Sequence, residues 1–220
     1  ILVAGLGADD IGMQSGGWTI EWQGKSGNIT AGTTILEGIK TAVSPKTQVI
    51  YNQSGNFNEN AEIGIIVVGE KPYAEGEGDA RDLLLSLTDI LAISNIRPHV
   101  RKLIVITISG RPLIITRQLP MADAWVAAWL PGTEGDGIAD VLFGDYPFSG
   151  KLSYTWPRSN DQLPININNS ASKTGCDAPL FPFGYGLSYG ESSPAIPLDC
   201  NPSDIALLKF HYIKGIETWQ

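Results

Sequence analysis

Short runs of β-branched and apolar residues at 1–5, 48–51, 63–69 and 103–109, each closed by Gly, Asn or Ser, most constrain what this chain can fold into. A strand that is apolar at every position must be covered on both faces, which an open antiparallel sheet does not provide. The intervals hold helical patterns. Residues 33–43 place Ile35, Leu36, Ile39 and Val43 on one stripe, and Pro45 follows as a stop. Residues 81–96 carry Leu84, Leu87 and Leu91 at helical spacing before Pro98. In 133–143, Thr133 offers a cap, Ile138, Val141 and Leu142 form a stripe, and Gly144 sits where a left-handed terminating residue belongs. Strands alternating with helices predict an α/β fold, a three-layer α/β sandwich around a mostly parallel central sheet. The segment 123–132, "DAWVAAWLPG", reads as a further strand ended by Pro-Gly. Beyond "FSGKLSYTWP" the pattern weakens into a loop-rich region. Residues 1–190 are expected to form the domain, with 191–220 laid over it as a tail.

At 220 residues and 43% hydrophobic content the chain has material for a substantial core. A formal charge of -8 without a Lys/Arg cluster argues against nucleic acid or an anionic membrane as partner, because both need basic surface. Apolar runs such as 103–108 fall far short of the roughly 20 residues of a membrane span. Cys176 and Cys200, 24 apart, leave one loop-closing disulfide open. Asn28, Asn52 and Asn168 each begin an N-x-S/T sequon in a polar, loop-like context, which leans towards secretion. The first residues already read as a strand with no initiator Met, as expected of a mature fragment or an excised domain.

Several chemistries find little support. In "GLGADDIG", Gly5 and Gly7 follow a strand, but Asp10 takes the third glycine position and 12–17 reads as loop, against a dinucleotide site. Neither Ser15 nor Ser109 lies in a nucleophile elbow, and His99 and His211 are far from strand ends. The separated Cys and His residues have no zinc spacing, so no cofactor or metal is expected. The crowded acids Glu70, Glu75, Glu77 and Asp79 differ, because Glu70 directly follows a buried strand. In an open α/β sheet the ligand crevice lies outside the carboxyl ends of the strands. A partly desolvated Glu there can protonate the leaving oxygen of a glycosidic bond, although a solvated loop position fits as well. Trp18, in "SGGWTIEW", suits either a sugar-covering loop tip or the core.

The block "AWVAAWLPGTEGDGIADVLFGDYPFSGKLSYTWPRS" resembles the second, α/β-sandwich domain of glycoside hydrolase family 3, of the plant β-D-glucan exohydrolase and β-glucosidase type. "ILVAGLGADDIGMQSGGWTIEWQG", "GTTILEGIKTAV", "VVGEKPYAEGEGD", "ISGRPLII" and "FPFGYGLSY" look like that domain in the same order. The resemblance implies that Glu70 is the acid/base of a retaining exo-acting glycosidase. Tyr73 follows it in the matching turn, Trp18 forms one wall of a sugar clamp, and Glu75 and Asp79 stand at the substrate rim. It places the nucleophilic Asp on a barrel domain that nothing here resembles, so this chain alone is expected to be inactive. The implied ligand is a β-glucoside or β-glucan oligosaccharide. The implied protein partner is the barrel, or a second copy through the barrel-facing surface, in the apoplast, cell wall or vacuole. The rival expectation is a stand-alone, non-catalytic module for carbohydrate binding, storage or defence.

Overall fold

The computed structural model describes residues 1–193 and Cys200. Most of the expected tail, and His211 with it, lies outside the described residues. Among the described residues five strands, β1 (Leu2–Ala4), β2 (Ile50–Asn52), β3 (Ala61–Gly69), β4 (Val100–Ile108) and β5 (Ala124–Trp129), form one sheet in the order β2-β1-β3-β4-β5. Every pairing is parallel, with Leu2 opposite both Ile50 and Gly64, Ile66 opposite Val105, and Ile104 opposite Ala124. The helices are α1 (Ile11–Ser15), α2 (Ile35–Ala42), α3 (Leu87–Ile96), α4 (Gly135–Phe143) and the single turn α5 (Ile167–Ser170).

The period-2 alternation of each central strand sends its apolar side chains into two separate cores. Leu2, Ile66, Val68, Leu103 and Val105 pack with Ala92, Ile93 and Ile96 of α3, while Val3, Ile65, Val67, Ile106 and Ile108 pack with α2 and Ile138 of α4. This is the three-layer sandwich with a parallel sheet that the uninterrupted apolar runs predict. Fully burying one such side chain contributes about 1.5–3 kcal/mol, so the two cores dominate the stability.

The ends of the helices follow local chemistry. A capping box closes α2, with Thr34 Oγ1 accepting from the Glu37 N–H at 3.1 Å and Glu37 accepting from the Thr34 N–H at 2.8 Å. Gly144 ends α4 in the left-handed region. The N-cap of α4 is Glu134, without a side-chain cap, rather than Thr133. Residues 12–17, expected as loop, begin within α1, because Asp10 Oδ1 caps it by accepting from the Met13 N–H at 2.7 Å. The third helix begins at Leu87 rather than at 81, because Ser86 caps it and Leu84 is drawn into a parallel bridge with Ile114. Its Leu stripe also faces outward: Leu87 is 71% and Leu91 52% exposed, and the buried face is Asp89, Ala92, Ile93 and Ile96.

The loop-rich stretch after β5 lies over the α3 face of the sheet. Trp156 is fully buried, donates from Nε1 to the Leu113 carbonyl at 2.7 Å, and bridges Phe181. Cys176 and Cys200 are joined by a disulfide.

Candidate functional site

Strand order reverses between β1 and β3: the chain leaves β1 towards β2 on one side and continues through β3, β4 and β5 on the other. Crossovers on opposite faces part at such a switch point and open a crevice at the carboxyl ends of the two strands. Glu70 leaves β3 there, and the loop after β1 carries Trp18.

Gly69 lets the strand close on its neighbour, since a Cβ at this position would lie 1.7 Å from the Ile108 carbonyl oxygen. The Glu70 N–H then donates to that carbonyl at 3.1 Å, and the side chain turns into a half-buried position with 19% of its surface exposed. Arg111 donates to Glu70 Oε1 from Nε at 2.9 Å and from Nη2 at 2.6 Å. The Tyr73 hydroxyl donates to Glu70 Oε2 at 3.0 Å. The remaining guanidinium nitrogen, Nη1, donates to the Gly78 carbonyl at 2.6 Å, and the guanidinium carbon lies 4.7 Å from the centre of the Tyr73 ring. Burial, and then the Glu70 charge, push the Tyr73 phenol up to about 12, so it stays a neutral donor across the physiological range.

Trp18 comes beside this cluster because Gly17 approaches the next loop so closely that a Cβ would lie 2.1 Å from the Tyr73 carbonyl oxygen. Gln23 Oε1 accepts from the Ala74 N–H at 2.8 Å and ties the loop down at its other end. The tip is a tight turn in which the Trp18 N–H donates to the Trp22 carbonyl at 3.0 Å. Trp18 (φ 61°) and Ile20 (φ 64°) occupy the left-handed region, at a cost of about 1–2 kcal/mol each. That geometry holds two indoles in solvent, Trp18 69% and Trp22 55% exposed, with ring centres 6.2 Å apart.

The other acids are separate from the Glu70 carboxylate. Glu75 and Glu77 lie on a 3-10 turn, Glu75–Gly78, and Asp79 closes it; all three are exposed. Asn28 is exposed, Asn52 ends β2 with its side chain accepting from Ser54, and Asn168 sits exposed in the turn of α5. Gln53 and Ser54 of the second sequon form an exposed turn, whereas the third runs through α5 and its Ser170 hydroxyl is buried on the Asn166 carbonyl. His99 packs edge-on against Phe57, half-buried, and the Ser109 hydroxyl is spent on the Arg111 carbonyl at 2.6 Å.

Two site residues escape a reading by motif. Arg111, 41 positions after Glu70, reaches it only through the β3/β4 register; a charged residue directly after the Ser-Gly end of a buried strand was the available signal. Asp89, on the buried face of α3, accepts from the Ser86 hydroxyl at 2.9 Å and feels the Gly69 N–H, which favours its charged form. Pro112, next to Arg111, opens onto an apolar groove of about 320 Å³ lined also by Leu83, Tyr154, Ile167 and Phe183.

The family model for the glycosyl hydrolase family 3 C-terminal domain matches residues 1–189. A lysosomal beta glucosidase of Dictyostelium discoideum is 30% identical over 86% of this chain and 26% of its own length. A periplasmic beta-glucosidase of Salmonella typhimurium is 31% identical over 75% of this chain and 25% of its own. The crystal structure of an exo-1,3/1,4-beta-glucanase from a Pseudoalteromonas species superposes with a TM-score of 0.77 at 36% identity, over 89% of this chain and 26% of that one. The chain thus spans about a quarter of the length of these relatives.

Proposed function

Because this chain belongs to the glycosyl hydrolase family 3 C-terminal domain family, we propose that it supplies the acid/base carboxylate and part of the sugar clamp of a retaining, exo-acting β-glucosidase or β-glucan exohydrolase. The observation that carries the reading is the juxtaposition at the β1/β3 switch point of Glu70, held at both oxygens, with the exposed Trp18 loop docked on Tyr73 and Ala74. An oriented carboxyl beside an exposed aromatic face suits a sugar whose ring stacks while its glycosidic oxygen is protonated.

In this reading a nucleophilic carboxylate, supplied by a barrel domain outside this chain, attacks the anomeric carbon as Glu70 protonates the departing oxygen. Glu70 then deprotonates the water that releases the sugar, the two carboxyls standing roughly 5 Å apart. Tyr73 positions Glu70, while Glu75 and Asp79 line the rim. Secretion, with a glycan on Asn28, fits the same reading. The expected ligand is a β-glucoside or β-glucan oligosaccharide. The test is hydrolysis of 4-nitrophenyl β-glucoside and a β-linked glucan oligosaccharide by the native polypeptide carrying this chain, wild type against Glu70→Gln. Loss of about 10²-fold or more on the oligosaccharide is expected. Unchanged turnover in the variant would remove Glu70 from the reaction.

The exposed Trp18/Trp22 pair favours a second reading, a carbohydrate-binding module without hydrolysis. Tryptophan fluorescence titration with a glucan oligosaccharide separates the two, since that reading requires saturable binding by an inert native protein.

A further inference from the structure

A carboxylate offers about four acceptor sites, two on each oxygen. Arg111 Nε and Nη2 occupy both sites of Oε1, and the Tyr73 hydroxyl occupies one site of Oε2. Among the described residues, one site is left, on Oε2.

We propose that Arg111 is a positioning residue that fills Glu70 Oε1, so that Oε2 alone carries the proton exchanged with the sugar and faces the glycosidic oxygen in one orientation. The proposal rests on the acid/base reading of Glu70. Arg111 is fixed for this task by bonds that do not involve the carboxylate: Nη1 is held by the Gly78 carbonyl, and the guanidinium lies over the Tyr73 ring. Tyr73 is wedged in turn, since a Cβ on Gly78 would meet its ring at 2.3 Å and one on Gly110 its hydroxyl at 3.2 Å. Rotation of the carboxyl group would break both guanidinium bonds and the phenol bond together.

The proton balance is closed at that one atom. In the first half-reaction the Oε2–H proton moves to the glycosidic oxygen, which takes the electron pair of the breaking C1–O bond as the external nucleophilic carboxylate bonds C1. Glu70 is left as carboxylate with Oε1 still on Arg111. In the second, Oε2 takes a proton from water while the water oxygen bonds C1 and the nucleophile departs with its electron pair. Tyr73 donates to the other site of Oε2 throughout and transfers nothing.

The test uses leaving-group dependence, which a merely structural role would not move. A dinitrophenolate departs without protonation, whereas an alkyl or sugar alcohol needs the acid in place. In the native polypeptide, Arg111→Met is expected to lower kcat/KM on a β-linked disaccharide by about 10²-fold and on 2,4-dinitrophenyl β-glucoside by less than about threefold in the glycosylation step. Arg111→Lys, which keeps the charge but loses the two-donor grip, is expected to show the same selective loss and serves if the Met variant does not fold. An equal loss on both substrates, or none on either, overturns the proposal. Glu70→Gln, run in parallel, keeps the failures apart: if it spares the disaccharide the acid/base reading falls, and if only the Arg111 variants do, that reading stands without this inference.

Discussion

Asp89 gives the residue beneath the crevice a signature in pH. Burial raises its carboxyl to about 6, against the pull of the Ser86 hydroxyl and the Gly69 N–H. The folded chain therefore keeps this proton up to about pH 6, while the unfolded chain releases it near 3.8. The contribution to stability is full below the unfolded value and is lost as pH rises through 6, by an amount on the order of 2–3 kcal/mol. Denaturant unfolding at pH 4.5 and 7.5 should show that difference between wild type and Asp89→Asn, the variant being flatter with pH. A pH-independent difference would mean that Asp89 is not the titrating group. At Gly69, a Cβ would meet a backbone carbonyl at 1.7 Å that cannot swing aside. Gly69→Ala is expected to cost about 2 kcal/mol or more, measured by the same unfolding, with loss of the Glu70 grip.

The elements differ in how openly the sequence announces them. The central strands were legible because each residue pair feeds two cores, and nothing but apolar side chains satisfies both faces. The third helix misled because Leu84, Leu87 and Leu91 keep a helical interval while its true inner face includes a carboxyl group. A buried acid is recognisable only with its surroundings, and the Gly69 N–H that favours the charged form of Asp89 belongs to another element. Ile93→Ala, inside the core, should therefore cost about 2–5 kcal/mol, whereas Leu87→Ala should stay within about 0.5 kcal/mol, both read from urea unfolding of the chain. In the candidate site, the residues alone left Glu70 between an acid and a solvated loop position and Trp18 between a loop tip and the core, and the family resemblance singled both out because motif and neighbour lie close in the chain. Arg111 was not legible, because the register of two parallel strands, rather than any spacing, delivers it.

At the scale of the molecule, exposed apolar surface among the described residues includes the Trp18, Ile20, Trp22 loop, the outer face of α3, and the groove bordered by Tyr154, Ile167 and Phe183. Separate patches of this kind favour association through any one of them. Sedimentation velocity of this chain alone should show a concentration-dependent shift to larger species; a single monomeric boundary up to high concentration would contradict it. The same molecule also carries a kinetic consequence in its strand order. The two walls of the crevice come from β1 and β3, whose register sets Leu2 beside Gly64, with the whole of β2 and α2 threaded between. No local segment can rehearse that contact, so loop closure must be met before any pairing repays it, and such parallel sheets are intrinsically slow to form. On a ribosome, Trp18 would wait in an unformed chain until the third and fourth strands had emerged. During that interval the nascent polypeptide presents bare Val/Ile ribbons as a substrate for chaperones.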